Sequence, residues 1–237
     1  MADFGVQADG VVCHGQAIAR QFLAEPFTRA ADSGCLESWR QGRDRYYCWV
    51  IDVESAQIQQ RIDRWQRRLA PWLLSGYQRQ PHLTVAIAGF WQSEQTQRKH
   101  NDDFLTADLA QQLASLSNFP HTELQLEVLG CNSFPSAPFL EVKDSGDGYL
   151  SKLRQVLTPH DDDFRSIPYC PHITLGLYDR AYATAELRFL MTEAGDRDAL
   201  PLSVSHVSLM SYDSRHRAGP LQLEQRVALG NSRHDAS

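Results

Sequence analysis

Two short segments of the 237-residue chain carry one pattern of side chains. The first is Pro81-His82-Leu83-Thr84-Val85-Ala86-Ile87. The second is Pro171-His172-Ile173-Thr174-Leu175-Gly176-Leu177. Both read proline, histidine, apolar, threonine, apolar, small, apolar. An imidazole with an ordinary pKa near 6.5 can give or take a proton near neutrality. Two of them on either side of a phosphodiester can divide the work, one deprotonating the attacking oxygen and one protonating the leaving oxygen. The hydroxyls of Thr84 and Thr174 can donate hydrogen bonds to the non-bridging phosphate oxygens and steady the developing charge. No metal and no cofactor are required, and no HxH, HExxH, P-loop or GxGxxG pattern is present. A single His-x-Thr in a strand arises readily by chance. Two copies, each behind a proline, do not.

The elements that must position these residues follow from periodicity. In a strand, alternate side chains share a face. Leu83, Val85 and Ile87 are therefore expected to pack under helices, as are Ile173, Leu175 and Leu177. His82, Thr84 and Ala86, with His172, Thr174 and Gly176, should face the other way, the small residues leaving room for a ligand. Around them, strands are expected at Tyr46–Val53, His82–Phe90, Thr122–Gly130, Phe139–Lys143, His172–Tyr178, Ser203–Tyr212 and Leu221–Leu229. Apolar residues at helical spacing mark helices between the strands: Ile58, Ile62, Trp65 and Leu69; Leu105, Leu109, Leu113 and Leu116; and Leu150, Leu153 and Leu157. A further helix is expected at Thr184–Ala194. Arg61, Arg64, Arg67 and Arg68 read as the solvated side of the first of these helices.

The order contains an imperfect repeat of strand, helix, histidine strand, helix, strand. His82 lies 36 residues after Tyr46, and His172 lies 34 after Pro138. The expected fold is α+β: a bilobal, duplicated strand-helix arrangement with two mainly antiparallel sheets flanking a central cleft and helices outside. Residues 1–44 read as an N-terminal extension, 45–230 as the two-lobed domain and 231–237 as a tail.

The paired motifs resemble those of the 2H phosphoesterase superfamily, which includes the 2′-5′ RNA ligase and cyclic nucleotide phosphodiesterase group. The resemblance spans about residues 45–213. It implies a bilobal fold with a water-filled cleft, acid/base roles for His82 and His172, and phosphate binding by Thr84 and Thr174. It further implies cleavage, or reversible formation, of 2′,3′-cyclic or 2′-5′ phosphodiester bonds. By the same likeness His172 is assigned to the water and His82 to the leaving oxygen. One histidine as base and one as acid should make activity bell-shaped in pH, with both limbs titrating between about 5 and 8. Tyr169 and Arg165, shortly before the second motif, are candidate substrate-binding residues. A non-catalytic module that holds a nucleotide in the same cleft is the alternative.

Composition narrows the partner. The formal net charge is −6, with 42% hydrophobic and 22% charged residues. A protein that coats long nucleic acid needs a basic footprint; this balance fits a nucleotide or short RNA better. No apolar run approaches the roughly 18 residues that cross a bilayer. The N-terminus has no basic segment followed by an apolar core, so a cytoplasmic location is expected and no membrane or protein partner is inferred. Five scattered cysteines read as reduced thiols. Cys170 is close enough to His172 to be weighed as a nucleophile. His160, beside Asp161, Asp162 and Asp163, reads as part of a hydrated acidic loop.

Overall fold

The computed structural model describes residues 12–31, 36–120, 123–145, 148–158, 169–193, 196, 198–216 and 218–229. Arg165, the acidic stretch 160–163 and the tail 231–237 lie outside them. In chain order the elements are α1 (Val12–Ala24), α2 (Leu36–Arg40), β1 (Arg45–Asp52), α3 (Ala56–Leu69), β2 (His82–Gln92), β3 (Asp103–Leu105), α4 (Thr106–Ser117), β4 (Leu124–Ser133), β5 (Pro138–Asp144), α5 (Tyr149–Leu157), β6 (His172–Thr174), α6 (Thr184–Glu193), β7 (Leu200–Val204), β8 (His206–Asp213) and β9 (Gln222–Ala228). The expected helices and strands are present. The segment read as one strand at Ser203–Tyr212 belongs to two, β7 and β8.

The strands form one nine-stranded sheet in the order β7-β4-β5-β6-β2-β1-β8-β9, with short β3 alongside β2. All the pairings are antiparallel except β2–β3. The two expected sheets are thus two four-stranded halves of one surface. They meet where β2 and β6 pair at Leu83 and Ile173. Each half borrows a strand: β4, from the first repeat, pairs with β5 and β7, and β8, from the second, pairs with β1.

One buried cluster joins the helices to one face of the central strands. Ile58, Ile62, Trp65 and Leu69 of α3 and Leu150, Leu153 and Leu157 of α5 belong to it. So do Trp49, Ile51, Leu83, Val85, Leu140, Val142 and Ile173. Gln112 of α4 bridges elements inside this layer. It accepts from Trp49 Nε1 at 2.8 Å and donates to the Leu157 carbonyl at 2.9 Å. Phe22 of α1 is also buried in the cluster.

Strict alternation fails in β2, and a bulge explains it. Val50 pairs with Thr84 while Trp49 pairs with Ala86, so Val85 is an extra residue. Beyond it the faces exchange: Ala86 and Ala88 join the core, and Ile87 is half-buried. Ala86 therefore does not face the cleft as its parity suggested. Gly176 makes room for protein, since a Cβ there would meet Leu73 Cδ1 at 2.9 Å. Strand β6 also stops at Thr174, short of the expected Tyr178. Another bulge lies in β4, where Val128 pairs with Val142 but Cys131 with Leu140. Arg61 corrects the solvated-face reading of α3. It is only 3% exposed and donates to the carbonyls of Val128, Leu129 and Asp198 at 3.3, 3.2 and 2.7 Å. A bulged strand leaves carbonyls outside its ladder, and this guanidinium takes them up.

Candidate active site

The antiparallel seam decides which motif residues meet. With Leu83 opposite Ile173, His82 stands across from Thr174 and Thr84 across from His172. The four side chains form a two-by-two grid on the face opposite the core, each imidazole beside the other strand's hydroxyl. Leu83 and Ile173, fully buried between the rows, fix the grid from behind.

Local structure sets the imidazoles. Proline cannot donate to a ladder and suits the start of a strand. Two residues before each histidine, a backbone carbonyl accepts from its ring. His82 Nδ1 lies 2.7 Å from the Gln80 carbonyl, and His172 Nδ1 lies 2.8 Å from that of Cys170. When neutral, each ring thus carries its proton on Nδ1 and leaves Nε2 as the basic nitrogen. The same device in both halves is the repeat expressed at atomic scale.

The imidazoles are partly withdrawn from solvent, His82 buried and His172 half-buried. Burial pushes His82 down to about 4. The Gln80 carbonyl works against that shift, Arg79 and His172 add to it, and Asp52 opposes it. Burial also lowers His172, opposed by the Cys170 carbonyl. The rings of Phe134 and Phe139 pack edgewise on His172 at centroid distances of 5.0 and 5.3 Å. Burial and then Glu141 raise the Cys170 thiol to about 11, which disfavours the thiolate a nucleophile would need.

A cleft of about 350 Å³ opens on this face. Its lining includes His82, Thr84 and Thr174, with Leu36 and Trp39 of α2, Tyr77, Arg79, Leu177, Tyr212 and Ser214. The Arg79 guanidinium sits 3.9 Å from the centroid of Tyr212. Tyr169 serves the seam instead of the cleft. Its hydroxyl donates to the Thr84 carbonyl at 2.8 Å, while Arg154 donates to the Val85 carbonyl at 2.7 Å and lies over the Tyr169 ring. These two residues satisfy carbonyls at the β2 bulge, where pairing with β6 has ended.

Two acids escaped the sequence reading. Asp52 lies across β1–β2 from His82, and Glu141 lies across β5–β6 from His172. Asp52 accepts from Ser208 Oγ at 2.6 Å and Arg226 Nη2 at 3.3 Å, and Glu141 accepts the Asn132 amide. Their signal was available: each stands in its repeat's opening strand, about 30 residues before the histidine.

The mixed α/β fold lays its two His-x-Thr strands side by side in one sheet. A family model described as the 2′-5′ RNA ligase superfamily matches residues 54–216, and the chain belongs to that superfamily. Among curated protein sequences none matches. Solved structures share the fold at low identity. LigT of Escherichia coli complexed with 3′-AMP aligns at 16% identity and a TM-score of 0.50, covering 79% of this chain and 99% of that one. LigT complexed with NADP+ aligns at 18% identity and 0.49, with the same coverage. TT0787 of Thermus thermophilus aligns at 14% and 0.48, again over 79% and 99%.

Proposed function

We propose that this chain is a metal-independent phosphodiesterase acting on 2′,3′-cyclic phosphate or 2′-5′ bonds of nucleotides or short RNA. The observation that carries the reading is the grid of His82, Thr84, His172 and Thr174 across the β2–β6 seam. Thr84 and Thr174 donate to the non-bridging oxygens. One imidazole takes a proton from water as its oxygen attacks phosphorus. The bond from phosphorus to one ribose oxygen breaks, and the other imidazole protonates that oxygen. The products are a phosphomonoester and a free hydroxyl. Burial and Arg79 keep His82 neutral in the free protein, which suits a base. This charge environment favours His82 as the group that activates water and His172 as the acid, the reverse of the assignment carried by resemblance. The bound phosphate's negative charge would help His172 hold its proton.

The test is turnover of a 2′,3′-cyclic nucleotide in EDTA. Full activity is expected. Activity lost in EDTA and restored by Zn²⁺ or Mn²⁺ would overturn the metal-independent mechanism. Binding without turnover would favour the non-catalytic module. His82→Ala and His172→Ala should each lower kcat about 10²-fold or more. A substrate with a good leaving group should partly rescue His172→Ala and not His82→Ala; the opposite pattern would restore the other assignment.

A further inference from the structure

The cleft is not built from the family-matched segment alone. Leu36 and Trp39 of α2 precede residues 54–216 and yet line the same cavity as His82, Thr84 and Thr174. We propose that this N-terminal wall is a nucleobase subsite: Trp39, with Leu36 and Tyr77, holds the base of a nucleotide whose phosphate sits at the His-Thr grid. The inference rests on reading that grid as a phosphate site.

Polarity within the cleft is the first ground. The grid and Arg79 supply an imidazole, two hydroxyls and a cation, whereas α2 and Tyr77 supply an indole, an aliphatic chain and a phenol ring. A ligand that satisfies both has an anionic group joined to a flat apolar one, the chemistry of a nucleoside phosphate. Base–aromatic stacking tolerates any base, because every base has a π face.

Rigidity is the second. A five-residue helix has no stability of its own in water, so α2 must be held by contacts. Trp39 packs against Tyr46 and Phe90 at centroid distances of 4.9 and 4.8 Å. Arg43, just past the helix, pairs with Asp102 at 2.5 Å and Asp103 at 2.8 Å and lies over the Phe90 ring. Ser214, itself in the cleft lining, donates its hydroxyl to the Arg43 carbonyl and its amide to the Asp44 carbonyl, both at 2.8 Å. A ring fixed before the ligand arrives loses little freedom on binding. Size is the third ground. Small-molecule pockets run from about 300 to 1,000 Å³, and a cleft of about 350 Å³ suits one nucleotide unit better than several.

The experiment is calorimetric titration of the full chain with 3′-AMP and, separately, inorganic phosphate. Trp39→Ala should weaken 3′-AMP about tenfold or more and leave phosphate affinity within about twofold. Leu36→Ala should weaken 3′-AMP a few-fold, again sparing phosphate. Thr174→Val should weaken both probes. Unchanged 3′-AMP affinity in Trp39→Ala, with Thr174→Val still impaired, overturns the base subsite and leaves the phosphate site standing. If Thr174→Val changes neither probe while Trp39→Ala still selects against 3′-AMP, the phosphate reading fails and the base subsite survives. Should Trp39→Ala not fold, Leu36→Ala decides, and wild-type 3′-AMP binding there overturns the proposal.

Discussion

The imidazole of His82 ties function to stability through one proton. Its pKa in the folded chain is about 4, below the ordinary value near 6.5. Between those values the unfolded chain binds a proton that the folded chain refuses, so stability falls as pH falls through that window. By pH 5 His82 alone should account for roughly 2 kcal/mol of lost stability, and His172, also lowered, pushes the same way. Urea denaturation at pH 7 and pH 5 checks this: His82→Asn should show a smaller drop than wild type, and an equal drop would oppose it. Catalysis should show the same origin. With both imidazoles lowered, kcat/KM should peak on the acid side of pH 6.5 instead of between 5 and 8 as the bare motif suggests; a plateau extending above pH 7.5 would contradict this. The histidines and threonines were legible because the pattern occurs twice. Asp52 and Glu141 were missed although their spacing to the histidines is similar in both repeats, since a single acid in a strand draws no notice until its pairing partner is known. Burial of the rings was also hidden, because Phe134 and Phe139 approach His172 from a loop and a neighbouring strand.

At the scale of elements, the helices announced themselves by apolar spacing and the strands by alternation, while the bulges did not. Val85 carries no mark of the first, and Gly130, a residue type that favours bulges, was read only as a strand end; each bulge changes the meaning of its neighbours. The β2 bulge sends Ala86 into the core, and the β4 bulge turns Arg61 from an expected surface cation into a buried anchor. Leaving a buried acceptor unpaired costs about 1–3 kcal/mol. Arg61→Met, which deprives three carbonyls of their donor, should lower unfolding free energy by about 3 kcal/mol. Arg67→Ala, on the exposed face of the same helix, should stay within about 0.5 kcal/mol. Equal effects in chemical denaturation would show that Arg61 is no anchor.

Across the whole molecule, the charge balance sets the reach of binding. A net charge of −6 and a cleft sized for one nucleotide leave few phosphates to be gripped beyond the reacting one. Each neutralised phosphate of a single strand contributes a slope of about −0.7 in log K against log salt. Binding of a short oligoribonucleotide should therefore give a slope shallower than about −2, and one near −5 would reveal a long nucleic-acid groove. That the two motif strands would lie side by side was legible from their matching patterns. The exchange of β4 and β8 between halves was not, because strand length and alternation do not say which neighbour a strand chooses.

That exchange has a consequence for how the chain comes to be folded. Strand β1 pairs along its length with β8, matching Arg45 to Asp213 and Val50 to Ser208. The sheet half that carries His82 thus lacks an inner strand until β8 has left the ribosome. Domains usually fold as units during synthesis, N-terminal first, but here the first repeat cannot close its own sheet, and its last strand belongs beside the second. Such long-range pairings must bear their loop-closure cost before they return any stability. The two repeats are expected to fold together and late, with an exposed β1 edge meanwhile that chaperones would have reason to cover.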